Sequence, residues 1–401
     1  MKLLLLLFIL SIFLNSCGNR EPISGNFKNI YINNNAVLDT VDLSKQIDSI
    51  EVVPLKEIAP NLIGAAYQMY IVNDYYIIYD KVYSKKVNVY YKDGTFVKTL
   101  SQNGIKTNEG LNISDVWVNS KKEIFVYDFA LMKIYEYDSS LVFKKTISCP
   151  TLLHYNHVAQ IPNSTDFVGF ANYNMYNRKL TKSYPSILDN LRGSDLTFES
   201  SYIGYNVKYE GALFLTLNDN FTLYKDSLYF RQTYDKYIYN ITNEKISKAY
   251  KITYSSNNLP DNFLDLIDRN IKLFKDKDLS ATLAKRNSFF SNYCYPGDDW
   301  IENDKFTYLT SVENNGKNTF ILNSLIRKSD NKQYTAKFFK ENNKFKIVLP
   351  PLRYFDSKEN KFICFSSGYQ LKKQLLLPNS PFLANNKITN ESLCIIKIKM
   401  K

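Results

Sequence analysis

Histidine is nearly absent from this sequence: there are two in 401 residues, His154 and His157, three positions apart. A zinc site needs His, Cys or carboxylates clustered at defined spacing, and no such cluster follows the pair. A turn or polar packing role is the simpler expectation for both. Cysteine is scarce as well. Cys17, Cys149, Cys294, Cys364 and Cys394 lie far apart and form no C-x-x-C, which argues against a zinc ribbon or a dithiol redox motif. No Gly-x-Ser-x-Gly, P-loop or dinucleotide-binding glycine pattern occurs. Nothing in the sequence asks for a metal or a cofactor. Tryptophan is rare too, 2 residues against 32 Tyr and 26 Phe. Those tyrosines and phenylalanines sit mostly in short strand-like runs, the composition of half-buried β structure.

The first residues have the form of a targeting segment. Lys2 supplies a positive end and Leu3–Leu14 an apolar run too short to span a bilayer comfortably. Leu14-Asn15-Ser16-Cys17 then resembles the bacterial lipoprotein box, in which the Cys thiol is acylated before cleavage on its N-terminal side. Residues 1–16 are therefore expected to be a signal peptide, with Cys17 the lipidated first residue of the mature chain. Two or three acyl chains anchor stably where one does not. Residues 17–35 are polar, Asn-rich and without periodicity, and are expected to be a flexible tether. Residues 36–401 form the folded body, with no linker inside it.

An excess of acid is also missing. The formal charge is +12, from 51 Lys and Arg against 39 Asp and Glu. A basic chain raises the question of nucleic acid. Here lysines are spread over every segment instead of one stripe, and export removes the chain from most nucleic acid, so no nucleic-acid partner is expected. Lysine on strand edges discourages edge pairing. Attraction to anionic lipid or acidic glycan stays open.

Residues Lys122–Ile147 set the pattern for the rest. Ile124, Val126 and Asp128 alternate with Phe125 and Tyr127 as on a pleated strand. After a short break come a second strand, Lys133–Tyr137, the turn Asp138-Ser139-Ser140, and a third strand. Tyr76–Leu100 repeats this order around Asp80, which lies 48 positions before Asp128. Leu228–Ile252 repeats it around Asp235, and Phe306–Ile326 more weakly. Units of roughly 40–50 residues with several short strands are in the range of propeller blades. Asp80, Asp128 and Asp235 invite two readings, a ring of channel carboxylates or a turn residue bonding backbone amides. Repetition in every copy favours the turn, because a site usually breaks a repeat.

These residues resemble the six-bladed β-propeller lipoproteins of Gram-negative gut anaerobes, related to NHL and TolB-like propellers. The resemblance rests on the lipoprotein signal and on Val41–Ser44 followed by Ile50–Leu55. It rests further on Leu62-Ile63-Gly64 leading to Tyr75–Asp80, on the Tyr91–Phe96 turn, and on Gln102–Gly110 before Ile113–Val118. In the family the last loop is richer in Gly and Pro; Lys106, Thr107 and Asn108 depart from that pattern. The resemblance implies an all-β, six-bladed β-propeller with blades at about 62–100, 113–148, 154–205, 212–254, 293–337 and 346–397. Ile50–Leu55 is expected to close the ring against the last blade. A short helical insert is expected between blades four and five, at Leu259–Lys275 and Leu279–Arg286. Export permits disulfides, and Cys364 with Cys394 in the last blade is one candidate pair; buried free thiols are the other reading.

The resemblance places the chain in the cell envelope, lipid-anchored, with the outer membrane as the expected membrane. It implies a binding or scaffold module for a glycan, a peptide or an envelope protein. The alternative is a propeller-type hydrolase or lyase with its site in the central channel. Asp39-Thr40-Val41, Asp48-Ser49-Ile50 and Asp226-Ser227-Leu228 also resemble Asp-Ser/Thr-apolar O-glycan sites of exported proteins, which makes Thr40, Ser49 and Ser227 candidates. Intact mass of the protein from its native host reads both modifications. Acyl mass that disappears in Cys17→Ala, together with loss of membrane retention, is expected. Unchanged fractionation of Cys17→Ala would contradict the anchor, and absence of added hexose would contradict the glycan sites.

Overall fold

The computed structural model describes residues 26–401 except 36, 57–62, 65–67, 101–112, 129, 149–154, 172–185, 194–195, 205–218, 233, 244, 261–288, 315–317 and 386. Three strands come first: β1 (Lys28–Ile32), β2 (Leu38–Asp42) and β3 (Ile47–Pro54). Six sheets follow, arranged as the blades of a β-propeller. Blade one holds β4 (Gln68–Val72), β5 (Tyr75–Asp80), β6 (Lys86–Tyr91) and β7 (Phe96–Leu100). Blade two holds β8 (Ile113–Val118), β9 (Ile124–Asp128), β10 (Lys133–Tyr137) and β11 (Phe143–Ser148). Blade three holds β12 (His157–Gln160), β13 (Phe167–Phe170), β14 (Ser186–Arg192) and β15 (Thr197–Gly204). Blade four holds β16 (Phe221–Tyr224), β17 (Ser227–Arg231), β18 (Tyr237–Ile241) and β19 (Ile246–Tyr254). Blade five holds β20 (Cys294–Glu302), β21 (Phe306–Asn314), β22 (Thr319–Arg327), β23 (Gln333–Glu341) and the short β24 (Ile347–Leu349). Blade six holds β25 (Tyr354–Asp356), β26 (Lys361–Ser367) and β27 (Leu393–Met400). The expected helical insert falls on residues outside the described set.

The core is not one mass but six apolar wedges, one in each gap between neighbouring blades. This explains the alternation read in the sequence. Ile124 and Val126 of β9 enter the wedge between blades one and two, whereas Phe125 and Tyr127 enter that between blades two and three. In β5, Ile77 and Tyr79 face blade two while Tyr76 and Ile78 face blade six. A sheet covered on both faces needs apolar residues at successive positions. Each such burial contributes about 1.5–3 kcal/mol. In the wedge between blades two and three, Trp117 stacks on Phe125 at 5.3 Å and Phe167 meets both edge-on.

The aspartates that recur from copy to copy are turn residues. The Asp80 carboxylate accepts the N–H groups of Gly64, Val82, Tyr83 and Ser84 at 2.8–3.1 Å. Burial works against its charge, but these amide donors outweigh it and hold its pKa below the usual carboxylate range. Asp128 accepts from the Leu131 N–H, and Asp235 from the Tyr237 N–H and the Tyr239 hydroxyl. Gly94 closes the β6–β7 turn at φ +87°, and a Cβ there would lie 2.4 Å from the Pro54 carbonyl oxygen. That position needs glycine both for its backbone and for the close passage of β3.

The ring closes where the sequence places the seam. β3 pairs antiparallel with β27, with Val53 opposite Ile395 and Ile50 opposite Ile398. The expected tether through Asn35 is corrected. β1 pairs parallel with β19 of blade four, and β2 pairs parallel with β23 of blade five. Asparagines masked a two-residue period in which Ile30 and Ile32 turn inward, 6% and 0% exposed. Asn34 is buried as well: it accepts from the Ser255 hydroxyl at 2.7 Å and the Ser256 N–H at 3.1 Å, and its amide donates to Cys294 Sγ at 3.1 Å. The N-terminal chain is thus a strap across the outer edges of blades four, five and six.

Cys294, Cys364 and Cys394 are buried free thiols, and Cys149 lies outside the described residues. Cys364 stands opposite Ile396 and Cys394 opposite Ser366, so the two are offset along paired strands. Burial pushes the Cys294 thiol up to about 12.

Truncation separates these parts. Removing residues 1–25 is expected to leave the melting midpoint nearly unchanged. Removal through Asn34 takes away one strand's ladder and two buried isoleucines, and lowers the midpoint by several degrees. Removal through Leu55 opens the ring and abolishes cooperative melting. Equal midpoints for the first and second truncations would contradict the pairing of β1 with blade four.

Candidate functional site

The innermost strands β4, β8, β12, β16, β20 and β25 line the central channel. β4 touches β8 and β8 touches β12; β16 touches β20, β20 touches β25, and β25 touches β4. Where three of these strands begin, Gln68, Asp115 and His157 plug the channel. His157 Nδ1 lies 3.2 Å from Asp115 Oδ1 and 3.3 Å from the Gln68 side-chain nitrogen, which itself donates to Asp115 at 3.2 Å. The second carboxylate oxygen accepts the Val158 N–H at 2.8 Å. All three side chains are 1–2% exposed. His157, read from sequence as a packing residue, is therefore a channel residue; His154 lies outside the described set.

At the other end, where the strands turn back, the channel widens into a cavity of about 1130 Å³. Its floor carries Tyr70, Asp219, Arg231, Asp298, Asp299, Arg353 and Tyr354, drawn from four blades. Arg231, 5% exposed, donates Nη1 to the Asp298 carbonyl at 2.8 Å and Nη2 to the Asp219 carbonyl at 2.9 Å. It thereby staples the entrance of blade four to blade five. Arg353 Nη1 donates to Asp299 Oδ1 at 2.8 Å. The Tyr70 hydroxyl donates to the Val116 carbonyl at 2.8 Å and reaches Asp219 Oδ2 at 3.4 Å. At the rim, Lys225 pairs with Asp304 across blades four and five, and Lys358 with Asp74 across blades six and one.

A bulge delivers the adjacent acids. In β20 the register runs from Pro296 opposite Ser311 to Trp300 opposite Leu309, so three residues stand against Thr310 alone. Proline interrupts the donor ladder, and at Gly297 a Cβ would lie 2.7 Å from Thr310 Oγ1. Thr310 Oγ1 accepts the Asp299 N–H at 2.9 Å and donates to Asp299 Oδ2 at 3.2 Å, fixing the bulge. The sequence signal was Pro296-Gly297-Asp298-Asp299 inside an otherwise strand-like run. Asp219, Arg231 and Arg353 carry no comparable signal: the first two lie twelve positions apart on either side of β16 in blade four, and the third enters blade six.

The electrostatics follow from enclosure. Burial pushes the Asp219 carboxyl up to about 6, against the pull of the His157 side chain and the Phe221 N–H. Burial likewise raises Asp298 and Asp299 despite Arg353, and lowers Arg231 despite its acidic neighbours. For Arg353, burial is outweighed by Asp299 and Asp298, and its pKa rises. Among the described residues no three His, Cys, Asp or Glu side chains gather as a metal site.

None of the residues expected from sequence to be modified lies on this floor. Cys17 is outside the described residues. Thr40 lies on β2 opposite Phe338, Ser49 on β3 opposite Lys399, and Ser227 at the start of β17 opposite Tyr224. They sit on three different blades.

The sequence matches the model of a family described as a domain of unknown function, DUF4934, over residues 27–394. That is nearly the whole described chain, and the chain belongs to this family. No curated protein matches it in sequence. Among solved structures, BF0058 of Bacteroides fragilis, described as an exported protein, is similar with a TM-score of 0.69 and 14% identity, covering 94% of this chain and 100% of that one. A DUF4221 family member from Bacteroides vulgatus has a TM-score of 0.44 at 10% identity, covering 88% and 97%. Virginiamycin B lyase from Staphylococcus aureus has a TM-score of 0.39 at 10% identity, covering 88% and 100%. The first of these likenesses shares the fold; the other two are loose.

Asp219 makes stability depend on pH with an uncommon sign. A carboxyl whose folded pKa lies above its unfolded value favours the fold while protonated. That contribution is complete below about pH 4 and is lost as pH rises through about 6. Asp219→Asn keeps the shape and cannot ionise. Relative to the parent, its melting midpoint is expected to be higher at about pH 8, by the equivalent of roughly 3 kcal/mol, and not at about pH 4. A difference that does not vary with pH would contradict the enclosure of Asp219.

Proposed function

We propose that this DUF4934 family member is an extracytoplasmic binding module, held to a membrane through acylated Cys17, that takes a glycan into the mouth of its central channel. The observation that carries this is the charge balance of the cavity floor. Two guanidinium groups face three carboxyl groups, one of them, Asp219, with its pKa raised to about 6. The opposite charges largely offset one another, leaving about one excess negative charge near neutral pH, and the floor is rich in both donors and acceptors. Asp298 and Arg353 lie together there, and Arg353 commits Nη1 to Asp299. A polyhydroxyl ligand uses both kinds of group at once, whereas a strongly charged ligand would meet a like charge. Tyr224, Tyr354 and Phe355 line the same cavity and offer apolar faces for sugar C–H groups. The volume suits a ligand larger than one sugar ring.

The export signal and Cys17 support the envelope location, and the outer membrane is the membrane we propose. No helix among the described residues is long and apolar enough to cross a bilayer. The same reading sets the family beside the NHL and TolB-like propeller lipoproteins, and makes Thr40, Ser49 and Ser227 its proposed O-glycan sites. A second reading, a hydrolase or lyase, rests on Asp219. A carboxyl with pKa about 6, within 3.4 Å of the Tyr70 hydroxyl, is suited to give a proton near neutral pH.

A glycan and peptide array probed with the mature chain tests the binding reading. Neutral oligosaccharides are expected to bind. Asp298→Asn and Arg353→Ala should each weaken them at least tenfold, the scale of a lost hydrogen bond to a charged group. Binding confined to peptides, or sugar binding indifferent to both variants, would contradict it. Conversion of a bound sugar to product, lost in Asp219→Asn, would establish the second reading instead.

A further inference from the structure

The strap treats the edges of its three blades differently. On blade five, Asp39 of β2 pairs with Lys337 at 2.7 Å. On blade six, Glu51 of β3 lies 3.2 Å from Lys361 and 3.5 Å from Lys397, and Asp48 lies 3.5 Å from Lys399. On blade four, β1 reads KNIYI and brings no carboxylate. It adds Lys28 beside an outer strand that already carries Lys248 and Lys251, with Lys236 in the turn before β18, where its carbonyl accepts the Ile252 N–H. The ion pairs among the described residues leave out Lys28, Lys248 and Lys251. Asp235 is close by, but its carboxylate is turned to the Tyr237 N–H and the Tyr239 hydroxyl. Burial raises the Asp235 pKa, against the Tyr237 N–H, the Tyr239 hydroxyl, Lys248 and Lys236. Burial, and after it Lys251, hold Lys236 below its ordinary pKa, with Asp235 pulling the other way.

The lysines are interleaved with rings. Lys248 Nζ lies 4.1 Å from the Tyr237 ring centre and Lys236 Nζ 5.7 Å from the same ring. Phe27 meets Tyr237 edge-on at 5.6 Å, with Lys251 Nζ 6.0 Å away from the Phe27 ring. Ammonium groups beside amphipathic rings are the composition of a membrane–water interface.

We propose that this rim of blade four is the surface that rests on an anionic lipid leaflet. The inference deepens the anchored reading and fits its geometry. Residues 18–27, ten in number, separate Cys17 from Lys28, and at full extension they reach at most about 35 Å. The anchor therefore enters the fold at this rim and at no other. A ring standing on its rim keeps its channel axis along the membrane, so the cavity mouth stays open to ligand.

The test uses the mature chain carrying Cys17→Ala, so that acyl chains contribute nothing. It is sedimented with phosphatidylcholine vesicles prepared with and without phosphatidylglycerol, at low and high salt. Binding to the anionic vesicles alone, reversed by salt, is expected. A juxtamembrane lysine is worth about fivefold in partitioning, so Lys248→Gln with Lys251→Gln should weaken binding roughly 25-fold. Lys372→Gln with Lys373→Gln, on blade six, should bind like the parent. No binding to anionic vesicles, equal binding to neutral ones, or equal loss in both double variants would overturn the proposal. Acylation of Cys17, read by mass, would stand apart from any of these results.

Discussion

Seven residue pairs between β3 and β27 turn an open row of blades into a ring. The rest depends on that seam because no blade owns a core. Each apolar wedge is shared by two neighbours, so an open ring would expose two half-wedges and two strand edges together. The side chains of the seam belong to two of these wedges. Val53 and Ile395 enter the wedge toward blade one, while Val52, Ile396 and Ile398 enter that toward blade five. Gly94, in the first turn of blade one to meet the strap, lets the end of β3 pass against it.

Closure also fixes the channel. A side chain on an innermost strand has its distance from the other five set by the whole ring, which is how residues far apart in sequence meet at hydrogen-bonding distance. At one end that gives a buried polar plug of Gln68, Asp115 and His157. At the other it gives a floor of two guanidinium and three carboxyl groups. Two innermost strands depart from their ladder among the described residues: β8 shifts register just before Asp115, and β20 bulges where Asp298 and Asp299 lie beside Arg353. Such a departure costs sheet hydrogen bonds and re-aims the side chains it carries.

The sequence carried the repeat because packing on both faces writes itself into successive residues. Blade two spans Ile113–Ser148, as read from its alternation, and the closing strand contains Ile50–Pro54. Asp80 and Asp128 were legible as turn residues since each copy shows one. β1 was not legible: its two inward isoleucines stand among Asn and Lys, and their partner strand lies over 200 residues away. Nor was the floor of the cavity. Asp219 and Arg231 come from blade four and Arg353 from blade six, and only their meeting in space marks them. His157 was read as a packing residue for want of neighbours in sequence, although Asp115 and Gln68 supply them in the fold.

The most direct measurement is a crystal structure of the mature chain with an oligosaccharide that it binds. Sugar hydroxyls bonded to the Asp298 carboxylate and to the uncommitted nitrogens of Arg353, within the cavity between β4, β20 and β25, are the expected result. A sugar seated on the blade rims or at the plugged end of the channel, with Asp298 and Arg353 still facing water, would contradict it.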